Sequence, residues 1–473
     1  MRVIVPAFLL LATACGATEP DLVHLPAGVN ALRPTEPTTT SLGRFDPGDV
    51  VRRYCGARVC MHYTEDGPNA VRTADLDDSD VPDFVEFTLD VYESAWTHYV
   101  ETLGFRPPES DADAAVNGGD ERLDVYLVDF GGIGSGQFLL DTNCRAEAPH
   151  RCSGFIAQDN DFAGYSFLSP EDGSRIVGSH ELFHAVQASY RTGLPVTPLE
   201  GSAVWATENF DGSLRDFESF LPGFFNEPSR SLTDTITGPV PAFSYGSGIW
   251  FRFLEERFDG AVVREWLEAA SASPETPWID VLAAVLEARG ENISDSWAEF
   301  AHWSFFTGSR AGGTAETFVE ASGYPEVQTR VVAAPLNEAI RVFPMSIRPL
   351  EFSPIESSNG EIRFSFRQED DASALGVWEV VQRGSGWTVT ALDPLSPTPF
   401  DWVGAQQVFL LLYHADPAAD TVRPTVCVDN QCQDAADSSP DPEESEGGCH
   451  SAPGALLFCL LLRRRRRRRP SRG

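Results

Sequence analysis

The sequence predicts an α+β protein built in three successive blocks. Three observations carry that reading. Residues 46–165 combine one long amphipathic pattern with short β-branched runs. Residues 166–335 repeat apolar positions mainly at helical spacing. Residues 336–434 switch to period two.

In the first block, Val85, Leu89, Tyr92, Trp96 and Tyr99 recur three or four apart, which predicts a helix over Asp83–Leu103. Leu123–Val128 and Gly154–Ala157 read as strands. In the second block, Ser169-Pro170-Glu171-Asp172 supplies an N-cap, a first-turn proline and two acids at the positive end of a helix dipole. Gly193 is the expected stop of that helix. Pro195 and Pro198 suit a loop, and a second helix is expected from Glu200. Ile249, Phe253 and Leu254 mark another helix. In the third block, Glu361–Arg367 alternates cleanly, and Val377–Val381, Trp387–Thr390 and Val408–Tyr413 follow between Gly or Pro turns. A small β-sandwich is expected there, with no residues suggesting chemistry.

The two ends read as addresses. Residues 1–14 form an export signal, with Arg2 before an apolar run from Val3 to Ala12. Cys15 is either the lipidated first residue of a lipoprotein or the residue after an ordinary cleavage site. Residues 15–45 read as a Pro/Thr-rich linker, too short for a folded inhibitor domain. Residues 435–448 are an acidic linker. Residues 449–473 carry Cys449, an apolar stretch from Ala452 to Leu462, and arginine at every position from Arg463 to Arg469. Eleven apolar residues make a helix of roughly 16 Å, shorter than a full span, and the arginines would stay on the cytoplasmic side.

Formal net charge is −35, and no lysine occurs, so every cationic side chain is arginine. Such an acidic body excludes nucleic acid as a partner and suits a solubilised extracellular surface. In an exported chain, Cys55 with Cys60, Cys144 with Cys152, and Cys427 with Cys432 read as short-range disulfides.

The stretch richest in chemistry is His180-Glu181-Leu182-Phe183-His184. Residues four apart share a helix face, so both imidazoles can bind one metal ion. Glu181 then sits beside a zinc-borne water that a carboxylate can deprotonate. Gln187 lies on nearly the same face. A third ligand is sought downstream, where Glu200 and Glu208 project within about a quarter turn of each other. One of the two can bind metal while the other supports a ligand histidine. Tyr245, just before the helix marked by Ile249, is placed to donate to an oxyanion or simply to pack at a helix start. His302 reads as a helix-surface or core residue. Asp75, Asp77, Ser79, Val81, Asp83 and Glu86 occupy the ligand positions of an EF-hand-like loop, with Asp80 where glycine is usual. That loop reads either as a calcium site or as an acidic turn capping the next helix.

His180–His184 followed by Glu200-Gly201-Ser202-Ala203 and a further Glu208 resembles the gluzincin metallopeptidases. The resemblance implies a zincin-like fold, with an N-terminal α+β part and a C-terminal helical part. It also implies zinc held by His180, His184 and Glu200, and Glu208 as support for His180. The wider pattern, ending in the Tyr245-Gly246 helix, is similar to a group of secreted bacterial metallopeptidase-like chains. The Cys449, apolar stretch and arginine run resemble the myxobacterial C-terminal sorting tail. That likeness implies processing near Cys449 and display at the surface or outer membrane of a Gram-negative bacterium.

Two function classes follow. One is a zinc endopeptidase acting on a peptide or protein substrate, with Glu181 as general base and calcium as a possible second ion. The other is an inactive adhesion or structural lipoprotein that keeps the peptidase-like fold. Either is joined to the membrane through an N-terminal lipid, the C-terminal tail or both. Retention of Glu181 favours the enzyme, since a non-catalytic chain has no use for it.

Overall fold

The computed structural model describes residues 32–36, 43–353, 360–367 and 371–429. Residues 1–14, Cys15, Cys432, the linker 435–448, Cys449 and the arginine run lie outside them. The α+β expectation holds.

The first sheet is built from β1 (Arg52–Cys55), β2 (Val59–Tyr63), β3 (Leu123–Val128), β4 (Gly136–Arg145) and β5 (Ala148–Asp159), in the order β1-β2-β3-β5-β4. β2, β3 and β5 run parallel, while β1 and β4 are antiparallel edges. Parallel central strands need both faces covered, and all six residues of β3 are buried accordingly. Disulfides join Cys55 to Cys60 and Cys144 to Cys152. Each pair sits at directly opposed positions of its hairpin, on β1–β2 and β4–β5.

The helix expected from Asp83 runs as α1 (Asp83–Trp96) and continues through a wider π-helical turn, Thr97–Thr102. Val85, Leu89, Tyr92 and Tyr99 are buried as the periodicity required. Tyr99 donates to the carbonyl of Ser179 at 3.2 Å, and Tyr92 donates to Gln158 at 2.8 Å. These bonds lock α1 to β5 and to α2 (Pro170–Ala188). The remaining helices of this half are α3 (Val196–Asp211), α4 (Asp216–Phe225), α5 (Ala242–Gly246), α6 (Gly248–Arg257), α7 (Ala261–Ala272), α8 (Trp278–Ala288) and α9 (Ile293–Phe305).

The expected sandwich has two sheets. β6 (Arg330–Val332), β8 (Ser346–Phe352), β10 (Leu375–Arg383), β11 (Gly386–Leu392) and β13 (Gln407–His414) form one. β7 (Leu336–Ala339), β9 (Gly360–Ser365), β12 (Thr398–Phe400) and β14 (Thr425–Asp429) form the other. Its first strand begins before residue 336, because β6 pairs with β8. The outer face of the first sheet is also buried. Phe409 meets Phe305 of α9 at 4.9 Å between ring centroids, and Trp378 meets His302 at 5.0 Å. His302 is therefore packing between sandwich and helices, one of the two readings its position allowed.

The span read as a 15–45 linker is not a free tether throughout. Arg33 is 1 % exposed, and its guanidinium pairs with Asp111 at 2.5 Å, Asp141 at 3.2 Å, and Asp124. Three acids scattered over thirty residues assemble that pocket only in three dimensions, which is why local composition missed it. No helix among the described residues is long and apolar enough to cross a membrane.

Candidate metal centre

The helix carrying the histidines starts as its sequence requires. Ser169 accepts a hydrogen bond from the Asp172 amide at 3.0 Å, and Pro170 occupies the first turn. α2 is almost wholly buried from Ile176 onward, which explains its weak amphipathic pattern. It ends at Ala188, earlier than Gly193 suggested. The chain keeps turning through Arg191, whose amide bonds to the Gln187 carbonyl at 2.8 Å. Thr192 is then drawn to the carbonyl of His150 at 2.9 Å, so no glycine cap is needed.

α3 starts earlier than Glu200, at Val196 directly after Pro195. Pro198 fits its first turn, where the missing N–H has no partner to lose. Glu200 thereby sits one turn inside a rigid helix. A Cβ at Gly201 would collide with Ser247 Oγ, so glycine is what lets α3 lie against the α5–α6 junction. Ser247 donates to the Thr197 carbonyl at 3.1 Å across the same contact.

The structure brings His180, His184 and Glu200 together. One donor atom from each lies within 4.8 Å of the others, and all three side chains are buried. Glu200 Oε2 is 3.2 Å from His180 Nε2 and 3.3 Å from His184 Nε2. Two imidazole nitrogens and one carboxylate oxygen form the donor set of an open catalytic zinc site, and these residues fit it. Burial lowers the pKa of His180. Burial also acts to lower that of His184, but the Glu200 carboxylate overrides it and the value rises to about 9. Glu181, on the same helix, accepts a hydrogen bond from the Phe138 amide at 2.7 Å. Burial pushes its pKa up to about 8, with Glu200 adding and His184 opposing.

His184 Nδ1 meets Gln187 Oε1 at 2.7 Å, and Gln187 passes its amide hydrogens to Leu199 O at 2.8 Å and Ser202 Oγ at 2.9 Å. Glu208 sits among Glu218, Arg252, Glu320 and Glu255. Thr207, the residue before it, meets Ser179, the residue before His180, at 3.4 Å between hydroxyl oxygens. Gln187 was visible in the sequence on the metal face, but its role needed the Leu199 carbonyl opposite.

Tyr245 is buried in α5, its ring 6.3 Å from that of His180 and stacked on Phe220 at 5.2 Å. The cleft beside the metal residues is bordered by β4, through Gln137, Phe138 and Leu140. β4 had no place among the expected strands, and it covers the outer edge of β5 by a tight antiparallel return.

Only part of the EF-hand-like loop converges. Asp75, Asp77 and Asp83 bring carboxylate oxygens within 4.8 Å of one another. Asp80 adopts φ +66°, the left-handed conformation that glycine supplies at that loop position. Ser79 donates its hydroxyl to the Val81 carbonyl at 3.1 Å, and Glu86 faces the Tyr54 hydroxyl at 3.4 Å.

No protein-family model matches the chain, and no curated protein matches it.

Proposed function

We propose that the protein is a zinc-dependent endopeptidase of gluzincin type, with a zincin-like fold, exported to the bacterial surface. The observation that supports it best is the convergence of His180, His184 and Glu200 on one point beside Glu181. When bound, zinc polarises the scissile carbonyl and acidifies water. The chain's own residues do the rest. Glu181, held by the Phe138 amide, takes a proton from the attacking water and returns it to the leaving amine. Tyr245 donates its hydroxyl to the developing oxyanion. The free edge of β4 pairs with an extended peptide and lays it across the cleft. Calcium is the second ion proposed, at Asp75, Asp77 and Asp83, where adding it should raise the melting temperature. Surface attachment would run through Cys15, the tail after Cys449, or both.

Metal analysis of purified protein tests the site. About one zinc per chain is expected, lost in His184→Ala and Glu200→Ala and kept in Glu208→Ala. Full zinc in His184→Ala would mean that the ligands are misassigned.

A further inference from the structure

One arginine of the cleft has no carboxylate within ion-pair distance among the described residues. The cleft is lined on one side by Phe138 and Leu140 and on the other by His184, Leu199, Glu200 and Arg191. Arg191 lies seven residues beyond His184 on a chain that is still turning helically, so it falls on nearly the same face, about 10 Å further along. It lines the same cleft as His184 and Glu200.

Arg191 is 8 % exposed. Its one hydrogen bond among the described residues runs from Nη1 to the backbone carbonyl of Thr276, at 2.8 Å. No described carboxylate lies within 4.0 Å of it. Neighbouring arginines are engaged differently: Arg151 is paired with Glu109, and Arg106 lies over the ring of Tyr190. Burial pulls the pKa of Arg191 below the usual arginine value, with Glu275 opposing only at longer range. A buried, fixed cation with open donors and apolar walls is costly until an anion meets it. The anion that matches its planar fork is a carboxylate, which it can bind by two parallel hydrogen bonds.

We propose that Arg191 is the carboxylate-binding subsite of this cleft, so that the peptides cleaved carry an acidic group within about three residues of the scissile bond. The proposal rests on the peptidase reading above. It also gives an intensely acidic protein one fixed point of attraction for acidic substrates, inside the site rather than on the surface. The carboxylate can come from an Asp or Glu side chain or from a free C-terminus.

The test uses zinc-loaded full-length protein and quenched peptides. One arm scans Asp against Asn and Glu against Gln at each position around the cleaved bond. The other compares free C-terminal acids with their amides. Wild type should favour the acid by at least about tenfold in kcat/KM in one arm, chiefly through KM, and that arm identifies the source. Arg191→Gln should collapse the acid-to-amide ratio to near one, and Arg191→Lys should restore it in part. Melting temperature and zinc content report whether each variant folds. Equal rates for acid and amide peptides in wild type would overturn the subsite while leaving the peptidase intact. So would a ratio unchanged in Arg191→Gln and Arg191→Lys, which would make the bond to Thr276 the whole role of Arg191. Zinc-loaded wild type inert toward every peptide would remove the peptidase reading, and the subsite with it.

Discussion

Gln187 Oε1 lies 2.7 Å from His184 Nδ1, and this contact decides which face of the histidine is available to a metal. A glutamine oxygen can only accept, so Nδ1 carries the hydrogen and Nε2 is the nitrogen turned to Glu200. The Gln187 amide is fixed in turn by Leu199 and Ser202 of the α3 segment that bears Glu200. One side chain therefore ties both metal-bearing helices together. Gln187→Leu should weaken zinc binding by about 10–100-fold, as losing a histidine's outer partner does, with the fold retained. Competition with a chelator of known affinity measures it.

Arg33 should prove structural despite lying in a stretch that reads as tether. Its removal leaves Asp111, Asp124 and Asp141 buried without their cation, with only His62 beside Asp124 at 2.6 Å. Burial already pushes the Asp111 pKa up to about 7 even with the arginine present. Arg33→Met should cost about 3–5 kcal/mol in urea unfolding. A loss under about 1 kcal/mol would mean that the segment does not dock.

Glu208 sets a pH dependence. Burial, then the nearby Glu218, raises its pKa to about 7, with Arg252 opposing. The folded state thus holds the proton more tightly than the unfolded chain. Its contribution is fully present below about pH 4.5 and is lost as pH rises through about 7. Glu208→Gln should match wild type near pH 4 and be more stable by about 1–3 kcal/mol at pH 8. Thermal melts across that range measure the difference.

What could be read in advance followed from local rules. The start of α2 follows from Ser169 and Pro170, the buried face of α1 from its period, and two disulfides from short cysteine spacing. His180, His184 and Glu200 were found because helical spacing and a family-like Glu-Gly step are local signals. What escaped was set at long range. Nothing near Arg33 announces three distant acids. Nothing in Gly136–Arg145 says that this strand, and not β5, forms the sheet edge. Gln187 stood in plain view, but it takes its meaning from a backbone carbonyl on another segment, at Leu199.

The most direct measurement is peptide hydrolysis by Glu181→Gln beside its zinc content. Glutamine keeps the shape and can still accept from the Phe138 amide, but it cannot take a proton near neutral pH. The variant should hold about one zinc per chain and lose at least ~10²-fold in kcat, the lower end of what a positioned acid and base supplies. Hydrolysis undiminished in a fully zinc-loaded Glu181→Gln would contradict the account.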